Sequence, residues 1–412
     1  MGGSHSHLHA HDHADVETAS GPRALLFAFL ALVAVATVVG LVALWPEGKG
    51  PHAQYAVEGI TYPSATVVKV HEPCPVIMAD ASADATPPPQ MPPHCNELDV
   101  ELASGATVTV QAEPGATRSG LVPGDRVSLA KVPTPDGSAI YSYWGTQRNV
   151  PIGVLAAAFV LVVAVVARWR GLLALVGLGV AATIFGFWMV PTLLEGASPI
   201  WAALTASSAI MLVVLYLAHG VSVRTSTALA GTLVGLLITA ALGVYAVGSA
   251  RLSGMGGETA EALVANADGL EFQALLVAAI IVAGLGVLND VTITQSSAVW
   301  ELRAASPTMT RAQLFASGMR IGRDHIASTI YTIVFVYAGT ALGTLLLVAL
   351  YDRSLVDMLL TEEFAEEAVM TLATSIGLVL AMPATTAIAA LTVTGPTYAG
   401  RRVAHVESSR TS

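Results

Sequence analysis

Apolar residues in this 412-residue chain are gathered into long runs separated by short polar stretches. A run of about 20 apolar residues is what an α-helix needs to cross about 30 Å of hydrocarbon. Such runs occupy 24–45, 151–167, 171–191, 200–218, 226–248, 273–294, 327–350 and 368–394, which predicts eight transmembrane helices. The first, Ala24–Trp45, runs through Leu41–Trp45 into Pro46-Glu47. It is longer than the apolar region of a cleavable signal and has no small-residue cleavage site, so it reads as an uncleaved anchor.

Between 46 and 149 the pattern changes. Tyr55–Val57, Ala65–Val70, Leu98–Leu102, Thr107–Gln111, Arg126–Lys131 and Ile140–Tyr143 are short and rich in β-branched residues, separated by Pro-Gly at 114–115 and 123–124 and Asp-Gly at 136–137. These are strand and turn signals and predict a small barrel or sandwich. The division expected is therefore a His-rich disordered tail at 1–23, an anchor helix at 24–45, a β-rich domain at 46–149, a seven-helix domain at 150–398 and a tail at 399–412. The fold class is a membrane all-α bundle with a small β-rich domain held outside the cytoplasm.

Composition removes the soluble alternative. Hydrophobic residues are 54% and charged residues 12% of the chain, against about 25% charged in soluble domains. The net charge of −10 says little about partners, because its position matters more than its sum. Arg168 and Arg170, Arg224, then Arg303, Arg311, Arg320 and Arg323, and finally Arg401 and Arg402 all fall on one side if every run crosses. The opposite loops carry acids, from Glu195 to Glu367. By the positive-inside rule both termini are cytoplasmic, in a plasma membrane. No basic, aromatic-interleaved surface suggests nucleic acid.

Candidate chemistry is sparse. Cys74 and Cys95, the two cysteines, both lie in the outer segment, where a disulfide is the natural reading; a metal site with His71 and His94 is the rival. His5, His7, His9, His11 and His13 alternate beside Asp12 and Asp15. Neutral imidazoles can gather Zn²⁺, Ni²⁺ or Cu²⁺, although the spacing is that of a polar tail with incidental affinity. No other cofactor is expected.

Asp290, Thr294 and Ser297 fall at i, i+4 and i+7 and share one helical face. A carboxylate within a span is costly in lipid and ordinarily faces protein or a water path. Asp290 is therefore the leading candidate for ion or proton coupling, the alternative being an interfacial charge. Asp324 with Ser328 and Tyr331, and His325 with Thr329 and Thr332, form two further polar lines. Gly318 and Gly322 are four apart, the small-residue spacing that lets helices approach closely, and Gly284 and Gly286 are further helix-packing candidates. The phosphate-loop, Gly-x-Ser-x-Gly and His-Glu-x-x-His patterns are absent from the sequence, and no enzyme is expected.

Gly284-Leu-Gly-Val-Leu-Asn-Asp-Val-Thr-Ile and Ser317-Gly-Met-Arg-Ile-Gly-Arg-Asp-His-Ile, with the anchor, the outer β segment and the Tyr141…Arg148 exit, resemble the YibE/F-like family of bacterial membrane proteins from about residue 24 on. The resemblance implies a permease of unassigned substrate. The same middle region, with Asn289-Asp290 for an Asp-Asp pair, is similar to resistance-nodulation-division exporters and SecD/SecF motors. Two functions follow as expectations. One is a secondary transporter coupled through Asp290, acting on a small solute or ion, with homo-oligomers compatible with its Gly- and Ala-rich helices. The other is a non-transporting scaffold or sensor whose outer domain binds a ligand or envelope partner.

Overall fold

The structure is a computed structural model that describes residues 17–48, 59–75, 92, 94–134, 137–256, 263–264, 269–350, 354, 356–357 and 360–396. The strand expected at Tyr55–Val57 and the histidines of the tail, His5 to His13, lie outside the described residues. The chain divides into two compact units, residues 52–165 and the remainder.

Helix α1 (Ser20–Ala43) opens the chain. Five antiparallel strands follow: β1 (Ser64–Val70), β2 (Glu97–Leu102), β3 (Thr107–Gln111), β4 (Arg126–Pro133) and β5 (Ala139–Thr146), in the order β3-β2-β1-β4-β5. The edge strands β3 and β5 approach one another, so the sheet is nearly closed. Alternation decides its inside: Ala65, Val67, Leu98, Val100, Val110, Val127 and Leu129 form a buried core, as period-two side chains on one face of a curled sheet must. Bulges between Val67 and Lys69 and between Ser128 and Leu129 add the twist that curling requires. Pro114-Gly115, read as a turn, instead starts the short helix α2 (Pro114–Arg118), because proline's fixed φ suits a first helical position equally well.

The helical stretch α3 (Asn149–Leu194) is 46 residues long. Its helix is interrupted at Arg168, whose φ of 55° is left-handed, and it passes through a π-helical turn at Phe185–Met189. Then come α4 (Pro199–His219), α5 (Val223–Ala250), α6 (Phe272–Ala305), α7 (Arg311–Thr340), α8 (Leu342–Leu350) and α9 (Glu362–Thr392). Among the described residues six helices are long and apolar enough to cross a membrane: α1, α3, α4, α5, α6 and α9. The sequence predicts eight. Its runs at 151–167 and 171–191 fall within α3, and its run at 327–350 is shared between α7 and α8.

The core of the helical unit is α5, α6 and α9, packed so closely that small residues are required. A Cβ on Gly231 would strike Thr385, one on Gly377 would strike Thr239, and one on Gly235 would come within 2.7 Å of both Ala381 and Leu288. Without a hydrophobic drive between helices in lipid, such contact and interhelical hydrogen bonds hold the bundle together. The ends are tied as well. Thr18 forms a β-bridge with Val393, and the Ala19 amide donates to Thr392 O at 2.8 Å.

Candidate functional site

Helix α6 presents two polar faces. On the inward one, Thr292, Gln295 and Ser296 are buried, and each is bonded across to another element. Thr292 meets Thr232 of α5 at 2.6 Å, Ser296 donates to Arg224 O at 2.8 Å, and Gln295 Nε2 donates both to Gly318 O and to Thr386 Oγ1. The α7 backbone reaches Gln295 only because Gly318 and Gly322 are there. A Cβ on Gly322 would lie 3.0 Å from Gln295 Oε1 and collide with Met382 Sδ.

The other face carries Asp290. Its carboxylate is 70% exposed and lies 3.7 Å from Nε2 of His325 on α7, too far for a hydrogen bond. His325 Nε2 is buried without a partner, and so is the side-chain oxygen of neighbouring Asn289. Asp290 and His325 therefore face one another with unspent hydrogen-bonding capacity. Glu301, which pairs with Arg224 at 3.9 Å, is eleven residues along α6 from Asp290, about 16 Å at 1.5 Å per residue.

Thr294 donates to the Asp290 carbonyl at 2.8 Å and Thr329 to the His325 carbonyl at 2.9 Å, so both hydroxyls are spent on their own helices. Ser297 is half-buried, and Asp324 is exposed on α7. Gly284 packs against Thr239, while Gly286 has open space around it. The interior partners Gln295, Thr232, Thr292 and Thr386 were not singled out from sequence. Their signal was the polar set at 292, 295 and 296, one position round the helix from the line through Asp290.

The β unit holds a contrasting arrangement. His71 Nε2 lies 3.0 Å from Asp99, whose other oxygen accepts from Thr109 at 2.7 Å. The Thr109 hydrogen bond first, and then His71, hold the Asp99 carboxyl below the usual carboxylate range. Nearby, Cys74 and Cys95 form a disulfide, as expected, and Asn96 fixes it by accepting from the Cys74 amide and the Thr117 hydroxyl. His94 pairs with Glu97 at 2.9 Å. Among the described residues no three His, Cys, Asp or Glu converge as a metal set would.

Long apolar helices packed through small residues, with polar groups bonded between them, define a polytopic helical membrane protein. The profile of the YibE/F-like protein family matches residues 155–395. That is more than half of the chain, and the protein belongs to this family. The match takes in both motifs on α6 and α7 but not the anchor or the β unit, a narrower reach than the resemblance from residue 24 suggested. No curated protein and no solved structure matches the chain, so the likeness to resistance-nodulation-division exporters and SecD/SecF motors has no counterpart here.

Proposed function

We propose that this membrane protein is a secondary transporter that moves a small solute or ion in exchange for, or together with, protons passing through Asp290 and His325. The observation that carries this reading is the open Asp290–His325 pair at 3.7 Å, with unpartnered polar atoms on His325 and Asn289. A carboxylate within a membrane helix is tolerable if it meets water, a partner or a proton. An imidazole, that of His325, stands beside it. Together they are groups able to take up and release a proton as the helices move.

The proposal includes eight crossings in a plasma membrane with cytoplasmic termini, and the contacts within the helical unit support the count. Thr192, at the end of α3, donates to Leu44 O just beyond α1, so these two ends share a side. Only the polar β segment separates α1 from α3. In this reading α3, whose 46 residues are about twice the ~20 that one crossing takes, crosses and returns, with its break at Arg168. Likewise Glu362 at the start of α9 accepts from the Ser253 amide, while Gln273 at the start of α6 donates to Leu252 O. The starts of α6 and α9 thus share a side, and in this reading α7 and α8 carry the chain back across.

The test is reconstitution in liposomes holding a pH-sensitive dye, with a pH gradient imposed across a panel of ions and metals. Proton movement that depends on one added solute and disappears in Asp290→Asn supports the transporter. Solute-dependent movement that survives in a folded Asp290→Asn protein overturns the assignment to this site. The second reading, a scaffold or sensor, is favoured by one observation: the β unit has a hydrophobic core of its own. It expects that unit, within the full chain, to capture a specific envelope ligand.

A further inference from the structure

At the Ala305 end of α6, Arg303 is only 4% exposed. Its Nη1 donates to the carbonyls of Pro307 at 2.9 Å and Met309 at 2.8 Å, which clamps the guanidinium across the turn into α7. Nε and Nη2 are buried and have no partner, and the buried Nε of Arg311, in the first turn of α7, has none either. The two guanidinium groups are close enough for their charges to repel. Among the described residues neither makes an ion pair with a carboxylate. The surroundings are apolar: Leu314, Ala390 and Val393 are buried beside Trp300 and Met309.

This arrangement is incomplete as it stands. Arginine does not shed its proton in proteins, and a buried charge without a counter-charge is costly. Half-buried Arg311 adds a like charge beside it. The free edge of Arg303 is the Nε–Nη2 fork, the pair of parallel donors that grips two oxygens of one anion. The backbone amides at the start of α7 do not compete for that role, since Thr310 and Gln313 cap each other there.

We infer that Arg303 and Arg311 form a binding site for a phosphate group, with the Arg303 fork holding two oxygens and Arg311 a third. A phosphate can come from an anionic phospholipid headgroup or from free phosphate in solution. Both present the same chemistry to the fork. The site is separate from Asp290 and does not depend on whether protons move there.

The full-length protein is unfolded thermally in a maltoside detergent, which carries no phosphate. One arm adds inorganic phosphate against chloride of matched ionic strength, and the other adds phosphatidylglycerol to the micelles. In one arm the wild-type midpoint should rise by about 2–4 °C, as a ligand held by the native state alone requires. Arg311→Gln leaves the Arg303 clamp intact and should abolish the rise; Arg303→Lys keeps a charge, loses the fork and should reduce it. A rise with lipid alone assigns the headgroup, and a rise with free phosphate alone assigns the soluble anion. No rise in either arm, or an undiminished rise in Arg311→Gln, overturns the site, and that variant decides the matter if Arg303→Lys fails to fold.

Discussion

His71 and Asp99 meet at 3.0 Å on the β sheet, whereas His325 and Asp290 approach only to 3.7 Å between α6 and α7. The residue types are the same and the surroundings are opposite. Asp99 also accepts from Thr109, so both of its oxygens are engaged and its charge is held in place. Asp290 has neither a third partner nor a hydrogen bond to its histidine, and His325 keeps a buried nitrogen unpaired. A closed pair is a brace, because breaking it leaves unsatisfied groups. An open pair makes no hydrogen bond of its own, so little stability is lost when it is broken.

Removing the open pair should therefore have the largest effect on activity and the smallest on folding. Asp290→Asn is expected to reduce solute-dependent proton movement to the level of empty liposomes while the thermal midpoint stays put. A midpoint that falls by several degrees would make Asp290 a brace like Asp99. Next in size, Gly322→Val forces a branched side chain against Met382 and Gln295 and should cost about 2 kcal/mol through overpacking. Because Gly322 lies one turn from His325, this variant should also weaken proton movement; full transport in a correctly folded protein would show that the spacing of the open pair does not matter.

Asp99→Asn should lower the stability of the β unit by about 1 kcal/mol, read by hydrogen exchange of β2 in the full chain. The acid response has a definite sign. Because the Asp99 pKa is depressed on folding, its contribution is fully present above the ordinary aspartate range, near pH 4. It is lost as pH falls through the lowered native value. Protection of β2 should drop below about pH 4 in wild type and lose that component in Asp99→Asn. Smallest of all, Thr294→Val removes a hydroxyl bonded only to its own helix and should change neither transport nor midpoint measurably.

The two regions were also unequally readable from sequence. Strand positions in the β unit came within a few residues of prediction, since period-two alternation reports directly which side faces the core. Helix interiors in lipid give no such report, because both faces are apolar and the buried one is marked by small and polar residues instead. That is why Asp290, Thr294 and Ser297 were seen to share a face although its outward direction was hidden. It is also why Gln295, which bonds α6 to both α7 and α9, went unnoticed. The break at Arg168, by contrast, was legible: Arg168 and Arg170 separate the runs at 151–167 and 171–191, and the helix is interrupted at the first of them. Cys74 and Cys95 were legible because compartment and count left few alternatives.

The bridge between Thr18 and Val393 makes the chain a loop in space. Glu17 and Thr394 at its two ends are themselves hydrogen-bonded at 2.9 Å. Donor and acceptor dyes attached to the two ends would report on each other from the moment the last helix docks, giving a readout of assembly that needs no substrate.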